Sequence, residues 1–207
     1  MSVTVISAPP SVRPRIMTPD DDVWPLSVEQ YHAMIRSGIL TDDDPIELLE
    51  GVLVPKMTKN RPHTKMTWRI HRMIESLVPH GWYLDAQEPI STADSEPEPD
   101  IVVVRGNIEQ YDDPPDAENV SFVVEVSDST LQRDRGIKKR LYARAQIAVY
   151  WIVNLVDQQV EVYTRPRGAG DEADYAERKV YTLADAVPVV IDGVEVGQVA
   201  VKMLWGK

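Results

Sequence analysis

The sequence predicts an α/β or α+β fold built on a central mixed sheet flanked by helices. Three observations carry this. Residues 101–104 and 121–127 are apolar runs without polar alternation, the pattern of strands covered on both faces. Met66, Ile70, Met73, Ile74 and Leu77 recur at the spacing of one apolar helical face. A single helical stretch, 134–145, separates the second apolar run from a third at 149–154, so helices precede and interrupt the strands.

Residues 1–23 hold several prolines, few large apolar residues and no periodicity, and read as a flexible arm. Residues 24–207 read as one domain. Ser27-Val-Glu-Gln30 matches a capping box, so a short helix is expected through Arg36 and is stopped by Gly38. Asp42-Asp-Asp-Pro45 is a turn. Residues 46–54 read as two short strands about a turn at Glu50-Gly51. Pro62 suits the first turn of a helix over 62–78, which Pro79-His-Gly81 ends. Residues 82–90 are expected as a strand, 91–99 as an acidic Pro-rich loop and 106–119 as a polar excursion. In the helix over 134–145, Ile137, Leu141 and Ala145 are spaced by four. Residues 149–154 and 159–163 form a hairpin about Asp157. Residues 166–174 are a loop, and short strands from 178 onward include a turn at Asp192-Gly193.

The composition is that of a globular protein, 43% hydrophobic and 27% charged. The chain has no cysteine, which excludes disulfides and thiolate metal sites. No apolar run approaches the roughly 18 residues of a membrane span, and no secretory signal stands at the N-terminus, so the cytoplasm is the expected location. A net charge of −11 counts against a general nucleic-acid binder but allows an enzyme with locally gathered basic groups. The acid runs at 20–22, 42–44, 94–98 and 112–116 read as solvated loop charge.

Two of the apolar strands hold a carboxylate: Asp100 opens the first and Glu125 lies within the second. A desolvated carboxylate costs several kcal/mol unless something offsets it. Strand alternation sets Phe122, Val124 and Val126 on one face, and Val123, Glu125 and Ser127 on the other. If the strands are neighbours, the two acids meet and require a proton or a cation. Magnesium favours one or two carboxylates plus water and phosphate. Lys138, on the following helix, could hold a phosphate or polarise a water. Plainer readings stand beside these. Asp100 could cap a turn, Glu125 could pair with an arginine, and Lys138 could form an exposed i,i+4 pair with Asp134. His63 could be a packed or capping histidine, Glu47 and Glu50 surface acids, and Tyr150 and Trp151 core aromatics.

Pro99-Asp100, Glu125-Val-Ser127, Asp134 with Lys138 and Tyr142-Ala143, and Tyr150-Trp151-Ile-Val together resemble the Uma family of restriction-endonuclease-like proteins, within the PD-(D/E)xK nuclease superfamily. Glu47-Leu-Leu-Glu-Gly51 and His63 resemble that family's N-terminal half. The resemblance runs over about residues 26–204. It implies a restriction-endonuclease-like fold, a Mg²⁺ or Mn²⁺ site at Asp100 and Glu125, and a lysine displaced onto the next helix at Lys138. Glu47 or Glu50 would supply a further acid, and His63 a further catalytic candidate. Two departures stand out. Ser127 holds the position where the wider superfamily usually places its lysine. Gln146-Ile-Ala-Val149 replaces the family's common Gly-Val-Pro-Glu.

The resulting expectation is a metal-dependent endonuclease hydrolysing phosphodiester bonds in DNA. Arg133, Arg135, Lys138, Lys139, Arg140 and Arg144 are its candidate basic patch. A homodimer would suit cleavage of both strands. The alternatives are a catalytically inactive binding or assembly module on the same fold, and a hydrolase of another phosphate ester.

Overall fold

The computed structural model describes residues 23–41, 44–56 and 60–206. The predicted arm, apart from Val23, and two acids of the predicted turn at 42–45 lie outside these residues. Helix α1 (Val28–Arg36) begins on the predicted capping box: Ser27 Oγ accepts the Gln30 N–H, and the Gln30 side chain returns to the Ser27 N–H. Gly38, at φ +73°, follows the helix end. Strands β1 (Ile46–Leu49) and β2 (Val52–Pro55) pair as the expected hairpin, with Glu50 and Gly51 both at positive φ.

Helix α2 (Arg61–Glu75) is capped by Asn60, whose Oδ1 accepts the His63 N–H, and has proline in its first turn. It is shorter at its C-terminus than the periodicity suggested, because Leu77 and Val78 close the last turn onto Ile74. Strand β3 (Trp82–Asp85) is also shorter than expected. Gln87 takes φ +63° and turns the chain off the ladder. Residues 87 and 90 then hydrogen-bond to Pro99 and Pro97 of the following loop instead.

Strands β4 (Ile101–Arg105), β5 (Val120–Ser127), β6 (Val149–Asn154), β7 (Gln159–Arg167) and β8 (Asp174–Tyr181) complete a six-stranded sheet in the order β3-β4-β5-β6-β7-β8. Only β5 and β6 are parallel, joined by the helical crossover; every other pair is antiparallel. Every residue of β5 and β6 is buried, so the absence of polar alternation correctly signalled two covered faces.

The crossover is continuous helix with one irregular turn: α3 (Leu131–Arg133), a π-helical turn (Asp134–Lys138) and α4 (Lys139–Arg144). A π turn holds more residues than an α-helical one and shifts the phase of the helix beyond it. The buried positions are accordingly Asp134, Lys138 and Leu141 to Ala143, while Ile137 and Ala145 are only half-buried. Leu141, Ile137 and Ala145 pack on the core as expected, while Asp134, Lys138 and Tyr142 form a second, more deeply buried row.

Two cores lie on opposite sides of the sheet. Phe122, Val124 and Val126 join Ile101 and Val103, facing α2 and the hairpin of β9 (Ala186–Ile191) and β10 (Val194–Ala200), with α5 (Val201–Leu204) behind. Val123 joins Val102, Val104, Leu49 and the α4 residues on the other side. On that side Tyr142, Tyr150, Tyr163 and Tyr175 pack in a connected cluster, with neighbouring ring centroids 5.0–6.2 Å apart. Tyr150 and Trp151 are thus core aromatics.

Candidate functional site

The strand register brings the acids together. Ile101 pairs with Val124, so the next step of the ladder sets Asp100 level with Glu125. Glu47, in β1, comes from across the pocket. Its hairpin is locked to the loop at 94–96: Glu96 N–H donates to Leu48 O, Gly51 N–H to Asp94 O, and Glu50 N–H to Ser95 Oγ. That loop was expected to be solvated, yet Ser95 and Glu96 are buried. Glu96 also lies 2.5 Å from His32 Nε2 and accepts from Ser91 Oγ. Loop charge here is part of the scaffold that delivers Glu47.

Glu47, His63, Asp100, Glu125, Asp134 and Lys138 line one small pocket of about 60 Å³, with Lys56, Glu98 and Arg133 at its border. Lys138 Nζ donates to Glu125 Oε1 at 2.9 Å and lies 3.2 Å from Glu47 Oε2. Tyr142 Oη donates to the same Glu125 oxygen at 2.7 Å. Asp100 Oδ2 accepts the Val126 N–H at 2.8 Å and lies 3.1 Å from His63 Nε2. Asp134 Oδ2 accepts from Ser127 Oγ at 2.6 Å, and the Asp134 carbonyl accepts from Tyr150 Oη. Arg133 Nη1 holds Glu47 Oε1 at 3.3 Å and the Pro55 carbonyl at 3.0 Å.

Several plain readings are thereby removed. Lys138 and Asp134 do not form an exposed pair, since both are buried and Lys138 points to Glu125 and Glu47. Glu125 pairs with a lysine and a tyrosine, not an arginine. Asp100 caps the Val126 N–H of the adjacent strand rather than a turn. Of the two N-terminal acids, Glu47 lines the pocket. Glu50, at the hairpin turn, is held in a bidentate pair by Arg140 and also contacts Arg144. Ser127 is fully buried and serves Asp134, while Lys138 reaches Glu125 from the π turn.

The pocket carries more negative than positive charge. Burial pushes the Glu125 carboxyl up to about 8; Lys138 offsets part of that, and Asp134, Asp100 and Glu47 add to it. Asp134 is also raised, by burial first, against the pull of Lys138 and Ser127. For Lys138, burial would lower the ammonium, but Glu125, Glu47 and Asp134 outweigh it and hold the group well above its usual range. The Tyr142 hydroxyl is raised by burial and by Glu125, which keeps it a donor.

Within the described residues, Asp100 Oδ1 and Glu125 Oε2 accept no hydrogen bond. Among the described residues, no three His, Asp or Glu side chains gather as a ready cation cage. Two oxygen donors from two acids on one pocket nevertheless fit a hard divalent ion, which needs only one or two carboxylates with water filling the rest. His63 Nδ1 is buried without a partner among the described residues.

Three contributors escaped the sequence reading: the Tyr142 hydroxyl, Arg133 on Glu47, and buried Asp134. The Tyr142 and Arg133 partners, Glu125 and Glu47, come from other segments, and the Asp134 spacing to Lys138 read equally well as an exposed pair. The predicted basic patch also differs from expectation. Arg133 pairs with Glu47, Arg135 with Glu161, Lys138 with Glu47 and Glu125, Lys139 with Asp174, Arg140 with Glu50, and Arg144 with Glu50 and Asp94. Each of these cations is neutralised within the protein.

Among the described residues, no helix is long and apolar enough to cross a membrane. Nothing among curated proteins matches the chain. A crystal structure titled as that of a "putative nuclease belonging to DUF820" from Anabaena variabilis is similar, with a TM-score of 0.61 at 18% identity. The match covers 87% of this chain and 98% of that one, and it shows a shared fold. The model of the Uma2 family, described as "Putative restriction endonuclease", matches residues 28–196. That span takes in every element from α1 to β9 and the whole pocket, and the chain belongs to the Uma2 family.

Proposed function

We propose that the protein is a metal-dependent DNA endonuclease that hydrolyses phosphodiester bonds. The observation that supports this best is the buried gathering of Glu47, Asp100, Glu125 and Lys138 around one pocket with excess negative charge. Lys138 offsets only part of the desolvation cost of gathering three buried acids, since Glu125 is still held well above its usual range. In this reading Asp100 and Glu125 hold Mg²⁺ or Mn²⁺ through the oxygens that lack hydrogen-bond donors. The ion, when bound, supplies an activated water and offsets charge on the phosphate. Lys138 keeps its proton and offers positive charge to a phosphate oxygen. Tyr142 fixes the Glu125 carboxylate by its hydrogen bond. His63 orients Asp100 through Nε2. Glu47, itself held by Arg133, holds Lys138 from the opposite wall. A homodimer would give each strand of a duplex its own pocket.

A second reading is favoured by one observation. The Lys138 ammonium already bridges Glu47 and Glu125, so the acids are partly satisfied without a metal. A catalytically inactive module would keep this arrangement for stability alone. The two readings part in one assay. Purified protein is incubated with supercoiled, linear and single-stranded DNA in Mn²⁺ or Mg²⁺, beside Glu125→Gln. Metal-dependent cleavage that the variant abolishes supports the nuclease. No cleavage of any form, with no divalent-ion binding at millimolar concentration, refutes it.

A further inference from the structure

The pairing of the crossover cations leaves the question of where a phosphodiester strand could be held by a chain of net charge −11. Helix α2 answers it. Arg61, Lys65, Trp68 and Arg72 occur at i, i+4, i+7 and i+11, within an arc of about 60° at the α-helical turn angle. All four are exposed, on the side opposite the buried Met66, Ile70 and Ile74. Among the described residues, no carboxylate lies in salt-bridge range of Arg61, Lys65 or Arg72, unlike the six crossover cations. Trp68 is 59% exposed, and the Arg72 guanidinium lies 5.2 Å from its ring centroid. A large aromatic left in water amid cations suits a flat partner with negative charge beside it. The same helix carries His63 into the pocket from its other side, about 140–180° around the axis from these four residues.

We propose that the outward face of α2 binds a single-stranded stretch of nucleic acid, with Arg61, Lys65 and Arg72 on phosphates and Trp68 stacked on an unpaired base, as a holding surface beside the pocket-bearing face. The stripe spans about 16 Å along the helix, enough for a few nucleotides. An unpaired base is required because a stacked duplex offers no free face to Trp68. This inference rests on the nuclease reading for its purpose, but it concerns a surface outside the acidic pocket and can be tested without catalysis.

The test is fluorescence anisotropy of the full chain with a labelled single strand of about twelve nucleotides, DNA or RNA, and with a duplex, in Ca²⁺ over a salt series. Wild type is expected to bind the single strand more tightly than the duplex. Arg61→Glu/Lys65→Glu/Arg72→Glu should weaken binding at least tenfold and lower the salt slope by about two, at ~0.7 per phosphate contact. Trp68→Ala should weaken it by about fivefold or more without changing that slope. Lys179→Glu, on the far edge strand, is the control and should bind as wild type does. Equal affinity of wild type and α2 variants overturns the inference, as does the absence of binding by wild type. Cleavage measured in parallel separates the two ideas. Cleavage unaffected by the α2 variants sinks this surface and spares the nuclease. Binding lost in the variants without any wild-type cleavage sinks the nuclease and spares the surface.

Discussion

Replacing Lys138 by methionine isolates the central interaction of the pocket. The change keeps an unbranched side chain one atom shorter and removes the ammonium that sits 2.9 Å from Glu125 Oε1 and 3.2 Å from Glu47 Oε2. Both acids are buried, so the variant leaves two carboxyls facing each other without their cation. Removing one partner of such a buried group costs about 3–5 kcal/mol. The cost depends on pH in a defined direction. The Glu125 carboxyl is raised from 4.5 to about 8 in the folded protein, by burial first. A raised group of this kind favours folding below its unfolded value, and that contribution is lost as pH rises through the folded value. Without the ammonium the folded value climbs further, so the variant should go on losing stability above about pH 8, where wild type levels off. Urea denaturation should therefore give a deficit that is steady between about pH 5 and pH 7 and grows above about pH 8. Calcium should stabilise the variant more than wild type, because the ion no longer competes with the ammonium for the acids. A deficit under about 1 kcal/mol at pH 7, or one that fails to grow between about pH 7 and pH 9.5, would refute the idea that Lys138 neutralises these acids.

Other expectations concern neighbouring elements. Tyr142→Phe removes the 2.7 Å hydrogen bond to Glu125 and should cost about 1–3 kcal/mol in denaturation, with a larger proportional loss of any Mn²⁺-dependent cleavage. Glu161 is fully buried and held by Arg135, Arg178 and Tyr163; these, with Asn154, outweigh its burial and lower its carboxyl to about 2. Glu161→Gln should cost about 2 kcal/mol at neutral pH, reduced because both arginines reach solvent. Its wild-type contribution is present above pH 4.5 and lost as pH falls through about 2, so an acid titration of the variant should be flatter there. Gly51→Ala would set a Cβ 2.6 Å from Pro25 Cβ at φ +75°, and a melting curve should show a loss of at least about 1–2 kcal/mol.

Much of the scaffold was readable because it is written locally. The Ser27 capping box, the Glu50-Gly51 turn and the α2 periodicity each depend on residues a few positions apart. The absence of polar alternation in β4 and β5 announced burial on both faces, and the acids within them announced a site. The extension of β3 to residue 90 failed because Gln87 adopts a positive φ that its side chain does not advertise. The second, more deeply buried row of the crossover helix was not foreseen because a π turn has no composition signal. The predicted basic patch failed for a different reason. A cation's partner is set by tertiary contacts, and Glu47, Glu50, Glu161 and Asp174 lie far from the crossover in sequence. Asp100, Glu125, Lys138, Glu47 and His63, the candidates named from sequence, do line one pocket, whereas the places of Asp134 in its lining and of Tyr142 on Glu125 emerged only once the chain was folded.

The π turn at 134–138 sets the mutational tolerance of this region. Here the Lys139 N–H reaches back to the Asp134 carbonyl, which also receives the Tyr150 hydroxyl. Deleting one residue between 134 and 138 would restore an ordinary α-helical ladder and rotate one side of the turn against the other by about 100°. Asp134 and Tyr142 could then no longer both face Glu125, although every residue type needed would still be present. A point substitution at Arg135 or Gly136 leaves this phase intact. Gly136 should thus accept an exchange of side chain far better than the segment accepts a change of length, the reverse of what a surface loop allows.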